Sequence, residues 1–120
     1  MTDYVTAASQ RAYVDRKCDC VGTDCSSYAE LILDASEKQN IPDPVLLLSL
    51  MMQESNCNPN AGSGSSYGLM QISSWELCKD ELNLENINDV IGAGNIRNNI
   101  QCGAIILKTK YNERRGGIIF

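Results

Sequence analysis

Between Asp43 and Glu54 the chain reads Asp-Pro-Val-Leu-Leu-Leu-Ser-Leu-Met-Met-Gln-Glu, and no other stretch limits the fold as much. Asp43 carries the short acceptor side chain that caps a helix N-terminus. Pro44 suits the first helical position, where its missing N–H is not needed. From Val45 to Met52 every residue but Ser49 is apolar. That is far short of the roughly 20 residues a membrane span requires. A helix apolar on nearly every side is one that others enclose. It should end near Ser55, because Asn, Gly, Ser and Pro dominate residues 56–66.

The remaining segments fit around this helix. Thr2 to Lys17 reads as a helix with Val5, Ala8, Ala12 and Tyr13 on one side. A cysteine-rich turn through Gly22 follows. Ser27-Tyr28-Ala29-Glu30 has the pattern of a capping box opening a second helix, which stops near Gln39-Asn40. Gly68-Leu69-Met70-Gln71-Ile72 is a strand or a turn. Ser73 or Ser74 caps a short helix through Trp75 and Cys78. The last long helix runs from about Asn95 to Arg115 and stops at Gly116-Gly117. With 120 residues, no internal repeat and no linker, the chain reads as one domain, 1–120. The expected fold is mostly α around a buried helix, with at most a small β element.

Six cysteines, Cys18, Cys20, Cys25, Cys57, Cys78 and Cys102, point to disulfides and an oxidising compartment. Sequence alone does not choose among the fifteen pairings that six cysteines allow. The rival reading is a thiolate metal site at Cys18-x-Cys20-x4-Cys25. It lacks the usual two-residue spacing and any His, so disulfides are favoured and no metal is expected. Met1-Thr2-Asp3-Tyr4 has neither the basic start nor the apolar segment of a signal peptide. An extracytoplasmic location therefore implies a leader already removed or another route of export. A net charge of −5 argues against nucleic acid as partner. Lys108, Lys110, Arg114 and Arg115 fit the last turns of a helix, where the dipole favours cations.

The absence of histidine removes His-based triads and His-ligated hydrolytic metals. Acid–base chemistry falls to a carboxylate, Lys, Tyr or Cys. Glu54 stands out. On a helix it lies over Leu50 and Met51 and two turns from Leu47, in the last turn where the dipole is negative. Desolvation and dipole both favour a protonated carboxyl, the form that can protonate a leaving glycosidic oxygen.

Three segments then occur in order: Glu54-Ser55-Asn56-Cys57-Asn58-Pro59-Asn60-Ala61-Gly62-Ser63, Gly68-Leu69-Met70-Gln71-Ile72, and Asn99-Ile100-Gln101-Cys102-Gly103. Together they resemble the catalytic domain of the lytic transglycosylases, relatives of goose-type lysozyme, over about Ser27 to Tyr111. Residues 1–25 then form a cysteine-containing N-terminal extension. The resemblance implies a lysozyme-like fold and cleavage of the β-1,4 bond between N-acetylmuramic acid and N-acetylglucosamine in peptidoglycan. The implied product is 1,6-anhydromuramyl, with no cofactor, no membrane span and a monomeric enzyme outside the cytoplasm.

It also implies roles. Glu54 is the general acid and base. Ser55 positions the carboxylate or the sugar's acetamido group. Met70 and Gln71 line the cleft, and Tyr67 and Trp75 are candidates to stack on sugar rings. Asn99 holds the loop that carries Gln71, and Gly103 allows a close helix approach. Two departures stand out. The family's later Ala-Tyr-Asn-Ala-Gly helix is not found before Phe120, which reads as a domain truncated at its C-terminus. Cys57 stands where the family often has an aromatic residue, which fits a disulfide anchoring the loop after Glu54. Two alternatives remain: a lysozyme-type hydrolase, whose second carboxylate would come from Glu76, Asp80 or Glu81, and a non-catalytic glycan-binding or secretion-associated module.

Overall fold

The computed structural model describes residues 7–20 and 26–113. Five α-helices dominate: α1 (Ala7–Lys17), α2 (Ser26–Lys38), α3 (Pro44–Ser55), α4 (Lys79–Leu82) and α5 (Ile96–Glu113). Short 3₁₀ turns at Trp75–Leu77, Ile87–Val90 and Ala93–Asn95 join the later helices. The β content is small, with β1 (Gly62–Ser63) pairing antiparallel to β2 (Ser66–Tyr67). A single bridge from Tyr67 to Ile72 then closes the following turn, so Gly68–Gln71 is a turn and not a strand.

The start of α3 follows from its sequence. The Asp43 carboxylate accepts the N–H of Val45 at 3.0 Å, and Pro44 opens the helix. At the other end Asn56 adopts a left-handed conformation (φ 50°), and its N–H donates to the Met52 carbonyl at 2.9 Å. By contrast, Ser27 lies inside α2, which begins one residue earlier, so it does not head the capping box its pattern implied. A capping box occurs instead at Asn86, which accepts from Asn88 N while Asp89 Oδ2 accepts from Asn86 N. The C-terminal glycines expected to stop α5 lie outside the described residues.

The core differs in emphasis from what the apolar run implied. Leu47, Leu48 and Met51 of α3 are fully buried, while Leu46 is 46% exposed and Val45, Leu50 and Met52 are half-buried. Continuous burial belongs to α5, where every residue from Asn99 to Leu107 is buried. Two polar residues, Asn99 and Gln101, interrupt the apolar pattern of that stretch, which hides its depth in the sequence. Ile32 and Ala35 of α2 join Leu47, Leu48, Ile100 and Ile106 in one cluster. Each large aliphatic residue buried there contributes about 1.5–3 kcal/mol.

The helices converge at one end. Tyr28, near the start of α2, donates its hydroxyl to the Cys57 carbonyl just beyond α3. The Asp19 N–H, just beyond α1, meets the Met52 sulfur at 3.1 Å. The end of α1, the start of α2 and the end of α3 therefore share one pole of the molecule. Among the described residues no helix is long and apolar enough to cross a membrane.

Candidate active site

Glu54 sits in the final turn of α3, at this shared pole. Its surroundings differ from the sequence expectation. Leu47 and Met51 turn into the core, and α3 ends one residue later, before anything covers the carboxylate. Glu54 is therefore exposed to solvent and not sheltered by an apolar face. Ser55 is half-buried and donates its hydroxyl to the Met51 carbonyl at 3.1 Å, one turn back. That bond fixes its rotamer and leaves its oxygen lone pairs available as acceptors.

The backbone after Glu54 is strained and braced. Asn56 and Cys57 both take positive φ, 50° and 63°, a conformation that costs a non-glycine residue roughly 1–2 kcal/mol. Three contacts hold it. Cys57 is disulfide-bonded to Cys20, Tyr28 donates to its carbonyl, and Asn58 N donates to the Ser55 carbonyl at 3.1 Å. A second disulfide joins Cys78 to Cys102, tying the segment after the Trp75 turn to α5. Cys18 is disulfide-bonded as well, and no described cysteine is free. The sulfurs of Cys18, Cys20 and Cys57 lie within 4.8 Å of one another. Cys25 lies outside the described residues.

The second motif forms a turn clamped from below. Gly68 adopts φ +77°, and a side chain there would collide with the Asn99 amide. Asn99 is 1% exposed and uses its whole amide. Its Oδ1 accepts Met70 N at 2.8 Å, and its Nδ2 donates to Tyr67 O at 3.0 Å and Val90 O at 2.7 Å. Gly103 lies one turn further along α5, and a Cβ there would stand 2.6 Å from Met70 Cγ. That contact corrects the cleft-lining role given to Met70. It is wholly buried against α5, with no surface left for a sugar.

Gln71 remains half-exposed, with φ 51°, and donates Nε2 to the Gly68 carbonyl at 2.9 Å. Tyr67 is half-buried, its hydroxyl donated to the Gly64 carbonyl at 2.7 Å, so its ring is fixed over the hairpin. Trp75 is partly buried against the core.

The sequence matches the family described as Transglycosylase SLT domain over residues 30–119, three quarters of the chain. The chain belongs to that family. No curated protein and no solved structure matches it. The SLT match begins on α2 at Glu30, so α1 and the cysteines at 18, 20 and 25 precede it. The Cys20–Cys57 bridge therefore joins a segment outside the SLT match to the loop directly after Glu54. Cys57 at an odd position in the motif was the one signal of this brace in the sequence. The contact from Tyr28 had no sequence signal, because it joins residues 29 apart.

Membership of the SLT family makes this a transglycosylase-type domain with peptidoglycan as its substrate class. The candidates for a hydrolase's second carboxylate are all exposed. Glu81 Oε2 accepts Gln39 Nε2 at 2.7 Å, at the end of α2 far from Tyr28. Eleven residues of helical rise separate those two positions, about 16 Å. Asp80, beside Glu81 on the four-residue α4, shares that remote end.

Proposed function

We propose that this chain cleaves the β-1,4 bond between N-acetylmuramic acid and N-acetylglucosamine without consuming water. Glu54 in its acid form protonates the leaving O4 of N-acetylglucosamine as the C1–O4 bond breaks. The Glu54 carboxylate then takes the proton of the muramyl 6-hydroxyl. O6 bonds to C1, and a 1,6-anhydro ring closes. Each proton passes through one carboxyl, and Glu54 ends the cycle protonated as it began. Ser55 accepts a hydrogen bond from the acetamido N–H, and Gln71 and Tyr67 meet the sugar from the clamped turn.

The observation that carries this reading is the match to the Transglycosylase SLT domain family, together with Glu54 standing exposed at the end of α3. Hydrolytic glycosidases hold two carboxyl groups about 5–10 Å apart across the bond. Glu54 lies at one pole, and Glu81 is tethered to Gln39 at the far end of α2. Glu81 and its neighbour Asp80 are therefore poorly placed to activate water at Glu54, which fits an internal hydroxyl as the nucleophile. The disulfides fit action outside the cytoplasm, where peptidoglycan lies.

Mass analysis of the products from purified peptidoglycan tests the reading. Anhydromuropeptides are expected as the main product. Predominantly reducing-end muropeptides would replace it with hydrolysis, and no soluble product would replace it with a binding module.

A further inference from the structure

We propose that the groove along α2, between α1 and α5, binds the zwitterionic peptide branch that muramic acid carries. The inference rests on peptidoglycan being the substrate. The groove has a volume of about 470 Å³ and is lined by Arg11, Ser27, Glu30, Leu31, Asp34 and Arg97. It lies outside the set formed by Glu54, Ser55, Tyr67 and Gln71.

Its charges are arranged in two pairs of opposite sense. Arg11 of α1 meets Glu30 at 2.8 Å on one side, and Arg97 of α5 meets Asp34 at 2.8 Å on the other. Glu30 and Asp34 are one turn apart on α2, about 6 Å along its axis. The groove thus offers two cations and two anions with no net charge. That pattern suits neither a polyanion nor a simple cation. It suits a ligand with a carboxylate and an ammonium a few ångströms apart, such as a diamino acid within a short acidic peptide. Half-buried Leu31 supplies an apolar surface for methyl and methylene groups.

The pairs are exchangeable. Side-chain exposures are 46% and 73% for Arg11 and Glu30, and 58% for Arg97. Exposed pairs of this kind contribute little to stability, so a ligand's own charges can replace them. Asp34 has further partners in Lys38 at 3.5 Å and Gln101 at 3.0 Å, which keep its carboxylate compensated when Arg97 turns to a ligand.

Position supports the same occupant. Ser27 begins the groove at the end of α2 whose neighbour Tyr28 touches Cys57, three residues after Glu54. From Ser27 to Asp34 the groove follows α2 for about 10 Å. An extended peptide of four or five residues reaches about 14–17 Å. A branch leaving a muramyl unit at Glu54 would approach the groove from its Ser27 end, beside the Tyr28–Cys57 contact.

The test uses the Glu54→Gln chain, so that substrate is not consumed, and isothermal titration with soluble ligands. These are an anhydro-free disaccharide bearing a tetrapeptide with a diamino acid, the same disaccharide without peptide, and the free tetrapeptide. The peptide-bearing disaccharide should bind about tenfold tighter than the bare one. Arg11→Ala combined with Arg97→Ala should remove that advantage and leave the affinity for the bare sugar unchanged, with an unaltered circular dichroism spectrum. Arg11→Lys combined with Arg97→Lys should restore part of it. Equal affinity with and without peptide would overturn the groove assignment, as would an advantage that survives the double alanine variant. Either result would leave the cleavage reading intact. Binding of the free tetrapeptide that depends on both arginines would support the groove even where the bare sugar fails to bind, a failure that counts against the cleavage reading alone.

Discussion

Asn99 accepts the backbone N–H of Met70 at 2.8 Å, and its amide nitrogen holds the carbonyls of Tyr67 and Val90. One buried side chain on α5 thus fixes two points of the turn that presents Gln71 and ties it to the Ile87–Val90 turn. Replacing it with Ala leaves the Met70 N–H and the Val90 carbonyl without partners in a dry site, while the Tyr67 carbonyl keeps the Ile72 N–H. Each such buried group carries a penalty of about 1–3 kcal/mol. Asn99→Ala should destabilise the fold by about 3 kcal/mol or more, measured by urea denaturation. Asn99→Asp should also be destabilising, because a carboxylate can accept from Met70 but cannot donate to the two carbonyls. Wild-type stability in both variants would show that water replaces the amide at little penalty.

The disulfides give a second expectation. Cys20–Cys57 closes a loop of 37 residues and Cys78–Cys102 one of 24. Loop-closure entropy assigns each about 3–4 kcal/mol. Cys57→Ser should lower stability by an amount in that range and should also lower kcat, because the strained backbone after Glu54 loses a brace. Cys78→Ser should lower stability with a smaller effect on kcat. Alkylation of the unfolded, unreduced protein, followed by intact mass, should find no free thiol at the described positions. Equal effects of the two variants on kcat would argue that the bridge beside Glu54 acts only on stability.

The ion pairs around Asp34 set an acid limit. The Arg97 hydrogen bond holds the Asp34 carboxyl below its ordinary value of 3.8, with Lys38 adding to the effect against partial desolvation. A lowered folded-state value means the stabilisation is fully present above 3.8 and is lost as pH falls through the folded-state value. The side chain is a third exposed, so solvent screening limits its contribution to about 1 kcal/mol or less. Asp34→Asn should therefore be slightly less stable than wild type at neutral pH and equal to it at about pH 2. Urea midpoints across that range measure the convergence. A difference that stays constant with pH would assign it to packing and not to charge.

These residues also show what the sequence could convey. The start and stop of α3 were legible because local chemistry decides them, through the Asp43 cap, Pro44 and the polar run after Ser55. The family was legible because three short motifs keep their order. The exposure of Glu54 was not, since helical periodicity gives the neighbours along α3 but not whether another element covers its last turn. The enclosure of Met70 depends on Gly103, 33 positions away, and the groove depends on pairs of 19 and 63 residues' separation. Burial of that kind is decided by how helices cross, which no local pattern states.

The exposure of Glu54 sharpens the most direct test of its role. Gln is nearly isosteric with protonated Glu and keeps a hydrogen-bond donor, but it cannot release or take up the proton. Acid–base assistance is typically worth about 10²–10⁴ in rate, and more where one group serves both steps. Glu54→Gln should thus abolish loss of peptidoglycan turbidity while ligand binding persists, a loss in turnover more than in affinity. Stability should stay within about 0.5 kcal/mol of wild type, because the side chain is exposed and away from the core. A melting temperature equal to wild type together with full activity would exclude Glu54 as the catalytic group. A large stability change would instead show that the carboxyl is covered in solution. Lost activity at unchanged stability is the outcome that fits an exposed carboxylate held in place for chemistry.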